Sequence, residues 1–186
     1  MSNSQDTIAA VATPPGRGAI AIVRISGAEA ATIAHALTGE APSERQAKLC
    51  SFRNQAGEPV DQGLVLFFPG PRSFTGEDVV ELHGHGGMIV TETLLAAVLA
   101  HGARPAEPGE FALRAFLNDK LDLTQVEAIA DLIDSGSQAA ARAALRSLEG
   151  RFSDQVQALQ AQLTDCLLYT SDAADDDYTV WGGGVG

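Results

Sequence analysis

The residues able to do chemistry gather in three short stretches: Thr13–Arg24, Phe67–Gly87 and Pro108–Asp122. The middle stretch is the densest. Glu77 and Glu81 stand four apart, and His83-Gly84-His85-Gly86-Gly87 follows directly. On a helix the two glutamates would share a face. The Pro69-Gly70-Pro71 break ahead of them and the apolar character of Val79–Leu82 predict something else: Glu77 in a loop and Glu81 on a strand. Alternation then sets Val79 and Glu81 on one face, with Val80 and Leu82 on the other. A carboxylate among apolar strand neighbours is costly unless something pairs with it. Glu81 therefore faces solvent on an open sheet face, pairs with Arg24, or accepts hydrogen bonds from a ligand's N–H groups.

His83 and His85 have a spacing that can share a strand face, but a metal site needs a third ligand, and no cysteine or Glu-containing zinc motif stands nearby. The flanking glycines fit a tight strand-to-helix passage better, so both histidines are expected to be scaffold and the metal-ligand set is expected to be none. Arg17 reads as a solvated loop charge. Arg24 is different, because a guanidinium ending an apolar strand needs a partner: a carboxylate of the fold, or a bound carboxylate or polar heterocycle. Lys120 lies between Asp119 and Asp122, a pattern that usually means a weak surface ion pair. There is no G-x-x-x-x-G-K-[ST] in the chain, no recognisable Ser-His-Asp set and no activated cysteine, so catalytic residues are expected to be none. Pattern alone ends at a loop-built ligand pocket with Arg24, Glu81 and Lys120 as polar anchors.

The elements that must position these anchors are legible. Thr7–Ala12 and Ala19–Ile25 read as strands around the breaker Thr13-Pro14-Pro15-Gly16-Arg17-Gly18. The β-branched residues of Ala19–Ile25 suit a strand buried on both faces. Ser26-Gly27 looks like the start of a helix over Ala28–Leu37, with Gly39 as its stop. Lys48–Arg53 and Val60–Phe68 predict a hairpin turning at Gln55-Ala56-Gly57. Met88–His101 predicts a helix with apolar residues at Ile89, Leu94, Leu95, Val98 and Leu99, closed by Gly102. Ala103–Ala106 predicts a short edge strand, which Pro105 suits, and Pro108-Gly109-Glu110 opens a helix reaching about Asn118. Asn118 and Asp119 read as a helix end and the next N-cap. Beyond Leu121 the pattern turns wholly helical, first through Val126, Ile129, Leu132 and Ile133. After Ser135-Gly136-Ser137 it continues through Leu145, Leu148, Phe152, Val156, Leu159 and Leu163. The expected architecture is an α+β domain over 1–118, a mixed sheet with packed helices, followed by a partial all-α domain over 119–165.

Composition bounds the partners. The chain has 186 residues, 45% hydrophobic, with a net charge of −12. That balance suits a soluble chain and argues against gripping a phosphate backbone unaided. Two cysteines give no disulfide framework, and neither a signal segment nor a membrane-spanning run is recognisable, so a cytoplasmic protein is expected. From Cys166 the three-four pattern stops. Residues 166–186 are expected to be a disordered, non-native tail, because they resemble the translated read-through of a transposon adapter used in sequencing libraries.

The three stretches carry six motifs that occur together and in order. They are Ala12-Thr13-Pro14-Pro15-Gly16-Arg17-Gly18, Arg24-Ile25-Ser26-Gly27, Phe74-Thr75-Gly76-Glu77-Asp78 and Gly84-His85-Gly86-Gly87, then Pro108-Gly109-Glu110-Phe111 and Ala115–Leu123. Together they resemble the N-terminal region of the MnmE (TrmE) family of bacterial tRNA-modification GTPases, from about Asp6 to Asp165. The resemblance implies a domain similar to the tetrahydrofolate-binding domain of one-carbon transferases. It implies that this domain binds 5-formyl-tetrahydrofolate or another one-carbon tetrahydrofolate and forms a homodimer. The family's folate-contacting Arg, Glu and Lys match Arg24, Glu81 and Lys120. Full-length members carry a GTPase domain using GTP, magnesium and potassium. They act with the FAD-dependent partner MnmG on C5 of the wobble uridine of certain tRNAs. The GTPase motifs are missing here, so these residues alone are expected to turn over no GTP. Two other readings stay open from sequence: a free-standing folate-dependent one-carbon transferase, and a general RNA-binding module, which the acidic balance disfavours.

Overall fold

A computed structural model describes residues 6–149, 156, 159 and 161–164. The chain divides into two compact units, the first ending at Leu121 and the second beginning at Asp122.

The first unit is built on a six-stranded mixed sheet. Its strands are β1 (Ile8–Val11), β2 (Ile20–Ser26), β3 (Lys48–Arg53), β4 (Pro59–Phe68), β5 (Val79–His85) and β6 (Arg104–Pro105). They lie in the order β3-β4-β5-β2-β1-β6, antiparallel throughout except for the parallel pair β1–β6. The expected hairpin is β3–β4. The expected edge strand is β6, where Pro105, lacking an N–H, leaves no donor unpaired at the rim. Helices α1 (Ala30–Thr38) and α2 (Met88–Ala100) cover one face. Ile33, Ala34 and Leu37 of α1 and Leu94, Ala97 and Val98 of α2 pack there with Val23, Ile25, Phe52, Val65, Val80 and Leu82 from the strands. Burying each of the larger side chains contributes roughly 1.5–3 kcal/mol.

Two expectations about β2 are corrected. Strand β2 is not buried on both faces: Ala21, Val23 and Ile25 are buried, Ile22 and Arg24 are half-buried, and Ile20 is exposed. Helices α1 and α2 occupy one face only, and Arg24 lies on the other. Ser26 belongs to β2 and does not cap α1. Its hydroxyl is turned to Thr75 and Glu77, and α1 begins after Glu29 without a side-chain cap. Ile89 points outward at 73% exposure, because the inward stripe of α2 runs through Leu94, Ala97 and Val98, and Ile89 lies off it. Gly39 stops α1 in the left-handed conformation, as its sequence position predicts.

Helix α3 (Glu110–Leu117) closes the first unit. Asp119 is not the next cap. It adopts a left-handed turn at φ 54°, which Asp tolerates better than most residues, and the cap falls three residues later. In the second unit Asp122 caps α4 (Leu123–Asp134) in a capping box with Gln125. Ser137 caps α5 (Gln138–Leu148), so Ser135-Gly136-Ser137 is the predicted break. The Gln125 amide donates to the Leu148 carbonyl at 2.9 Å and ties α4 to α5. The buried residues of the pair are the small Ala128 and Ala144, while Leu123, Ile133 and Leu145 are exposed. Continuity of the predicted long helix through 150–155, and the tail at 166–186, lie outside the described residues.

Candidate functional site

The register of two antiparallel strands makes the centre of the site. Arg24 on β2 and Glu81 on β5 are direct cross-strand partners, 57 residues apart in sequence. Both project from the face opposite α1 and α2, as strand alternation requires once Val23, Ile25, Val80 and Leu82 turn to the core. The guanidinium donates twice to one carboxylate oxygen: Nε to Glu81 Oε1 at 3.0 Å and Nη2 to the same atom at 2.7 Å. The second oxygen, Oε2, lies 3.1 Å from His83 Nε2, two residues along the strand on the same face. Phe74 and Phe111 lie beside the arginine, with ring centroids 5.5 and 5.8 Å from its guanidinium carbon. Aromatic faces at that range favour a cation.

The Glu81 side chain is 16% exposed and that of Arg24 is 28% exposed. Burial alone would push the Glu81 carboxyl up. The hydrogen bonds from Arg24 and His83, with the Arg24 charge, outweigh it and hold the group below its ordinary range. Glu81 is thus ionised at neutral pH. It is an acceptor and not a proton donor.

Lys120 does not join this pair. It follows the left-handed Asp119, its ammonium is exposed, and it forms no ion pair among the described residues. Its stem lies against Gly76, where an added Cβ would come within 3.2 Å of Lys120 Cγ and 3.0 Å of Asn118 Cβ. Gly76 itself sits at φ 80°. The Asn118 amide donates to the Thr75 carbonyl at 2.7 Å and clamps the end of α3 to the same loop. The loop that brings Phe74 to Arg24 therefore also carries Lys120. The three predicted anchors are arranged as one bonded pair and one cation that forms no ion pair among the described residues, linked through Phe74–Gly76.

Sequence reading missed a second polar cluster beside the first. Glu77, expected only to be a loop residue, accepts from Arg114 Nη1 at 3.0 Å and from the Ser26 hydroxyl at 2.7 Å. Arg114 also donates to Glu110 at 3.2 Å and to the Asp6 carbonyl at 2.7 Å. Arg104 binds Glu110 at 2.6 Å and Asp6 at 3.0 Å. The Arg104 hydrogen bonds, helped by the Glu107 N–H and Arg114, outweigh burial and hold the Glu110 carboxyl down at about 2. The available signal was the i,i+4 spacing of Glu110 and Arg114 on one helix face beside the apolar Ala115.

The two histidines do not converge. His83 is taken by Glu81, and His85 Nδ1 lies 2.7 Å from Asp61 Oδ1. Among the described residues no group of three His, Cys, Asp or Glu could hold a metal ion. A separate cavity of about 640 Å³ opens between the 13–18 loop and the start of α2, lined by Val11, Thr13, Arg17, Ile20, Met88 and Glu92 among others. None of Arg24, Glu81 and Lys120 lines it. Among the described residues no helix is long and apolar enough to cross a membrane.

The class the fold defines is a mixed α+β domain, carrying the Arg24–Glu81 pair on its sheet, followed by a capped helical unit. Residues 7–120 match the family model described as the GTP-binding protein TrmE N-terminus, and residues 123–177 match the MnmE helical domain. The chain belongs to the MnmE (TrmE) family. It is 58% identical over 175 residues to a tRNA modification GTPase MnmE of Nitrosococcus oceani, covering 92% of this chain and 38% of that protein. A protein of the same name from Hydrogenovibrio crunogenus is 56% identical over 173 residues, again covering 38% of its length. The chain therefore spans well under half the length of these relatives.

Proposed function

We propose that residues 7–120 form a folate-binding and dimerisation domain of a tRNA-modification GTPase. The ligand is 5-formyl-tetrahydrofolate or another one-carbon tetrahydrofolate. The observation that carries this reading is the Arg24–Glu81 pair beside Phe74 and Phe111, on the sheet face opposite α1 and α2. A pterin is a flat heterocycle edged with amide and amino N–H groups. Glu81 is an ionised acceptor for those donors, the phenyl rings supply flat apolar surface, and the unpaired Lys120 ammonium suits the carboxylates of a folate tail. The charge-assisted bonds are the strong ones in such a site.

In the whole protein this domain acts with MnmG in modifying C5 of the wobble uridine of tRNA in the cytoplasm. GTP, magnesium and potassium serve a GTPase domain whose phosphate-binding motif is not among these 186 residues. The relatives' printed names and the match to the helical domain favour this over a free-standing one-carbon transferase.

Titration calorimetry with 5-formyl-tetrahydrofolate tests the reading. Saturable binding by the wild-type chain, lost in Glu81→Ala, is expected. No binding by a folded sample, or binding indifferent to Glu81→Ala, overturns it. Sedimentation of the same sample tests the homodimer.

A further inference from the structure

We infer that His83 is a positioning residue for the folate contact assigned to Glu81, an inference that rests on the function proposed above. A glutamate side chain has three rotatable bonds, and its terminal torsion is broad. Arg24 fixes only one end of the carboxylate, since both of its N–H groups go to Oε1. Rotation about that fixed oxygen would still swing Oε2 off its aim. The His83 ring, 3.1 Å from Oε2, removes the freedom.

The bond is sheltered enough to matter, with side-chain exposures of 25% for His83 and 16% for Glu81. It also fixes chemistry. For Nε2 to donate, the ring carries its proton there, so His83 cannot accept a ligand proton at that nitrogen. A carboxylate has about four acceptor positions, two on each oxygen. Arg24 fills two and His83 a third. One position on Oε2 remains for a ligand N–H, and His83 decides where it points. Arg24 and His83 are also the charged or titratable groups whose interactions lower the Glu81 carboxyl.

Two amides separate this role from simple packing. Gln at position 83 can reach as far as Nε2 and donate to Oε2, whereas Asn is too short. In the full chain, the Glu81 carboxyl carbon is titrated by NMR, and 5-formyl-tetrahydrofolate affinity is measured by calorimetry. His83→Asn is expected to raise the Glu81 titration midpoint and weaken binding roughly threefold to tenfold, the loss of about one hydrogen bond. His83→Gln is expected to keep both within about twofold of wild type, the rescue of that one bond. His85→Asn, which alters the separate pair with Asp61, is expected to change neither. An unmoved Glu81 midpoint in His83→Asn overturns the inference, and so does equal weakening in His83→Gln and His83→Asn. If wild type binds no folate, the proposed function fails, while the Glu81 titration still decides whether His83 positions that carboxylate.

Discussion

Two ionic clusters lie side by side in the first unit, and they are built to opposite ends. The cluster of Asp6, Arg104, Glu110, Arg114 and Glu77 is closed. Arg104 bridges Asp6 and Glu110, Arg114 bridges Asp6, Glu77 and Glu110, and Glu110 and Arg114 are about 5% and 7% exposed at the side chain. The cluster of Arg24, Glu81 and His83 is open. It lies on the face opposite α1 and α2, keeps one acceptor position in reserve, and has aromatic rings where a closed cluster has more hydrogen-bonding groups. The first ties α3 to the sheet. The second keeps hydrogen-bonding capacity that the fold itself leaves unused. Similar residue types thus close on themselves or stay open according to how many of their bonds are satisfied internally.

The comparison breaks first on the closed side. Arg114→Ala strips Glu77 and Glu110 of a buried partner, and thermal or denaturant unfolding should show a loss of about 3–5 kcal/mol. A loss under about 1 kcal/mol would mean that the cluster is not holding α3.

Acid tests the same cluster without mutation. Glu110 is held at about 2 in the folded chain, below its ordinary value near 4.5. Its stabilising contribution is therefore complete above the ordinary value and falls away as pH drops from there towards about 2. The shift is worth roughly 3 kcal/mol at neutral pH. Denaturant titrations from pH 6 to pH 2 should show that loss blunted in Glu110→Gln.

On the open side, Glu81→Gln should separate binding from stability. Folate affinity is expected to fall about tenfold or more, the loss of a charge-assisted bond. Unfolding should change by only about 1 kcal/mol, because Arg24 keeps water and aromatic neighbours. Calorimetry and denaturation on one preparation would reveal a stability loss as large as that of Arg114→Ala, which would erase the distinction. The smallest effect belongs to Lys120→Ala. Stability should stay within about 0.5 kcal/mol, as for any exposed side chain without a specific role. Folate affinity should still drop severalfold, and more at low salt, the mark of an electrostatic contact.

Much of this was written locally in the chain. The β-branched run of β2, the hairpin at Gln55-Ala56-Gly57 and the glycine after α1 are short-range signals, and the structure follows them. What the sequence could not carry was register. Arg24 and Glu81 were each visible as charges in apolar strands, but only the β2–β5 ladder makes them opposite. The same holds for Phe74 and Phe111, which look like ordinary apolar residues until a loop and a helix bring both to Arg24. Local rules also misled where two residues offered the same service. Ser26 and Asp119 both look like caps; tertiary partners claimed the first, and Asp122 with Gln125 made the better box.

The parallel pairing of β6 with β1 has a consequence in time. Ile8–Val11 is synthesised before the strands it pairs with, and β2 can pair with one of its edges early. The other edge waits for Arg104 and Pro105, and Asp6 waits for Arg104 and Arg114, about a hundred residues downstream. Until then a nascent chain exposes a strand edge able to recruit neighbours. Contacts of such sequence separation are slow to close. A chain halted on the ribosome before β6 emerges should be prone to aggregation, and one carried past α3 should be protected.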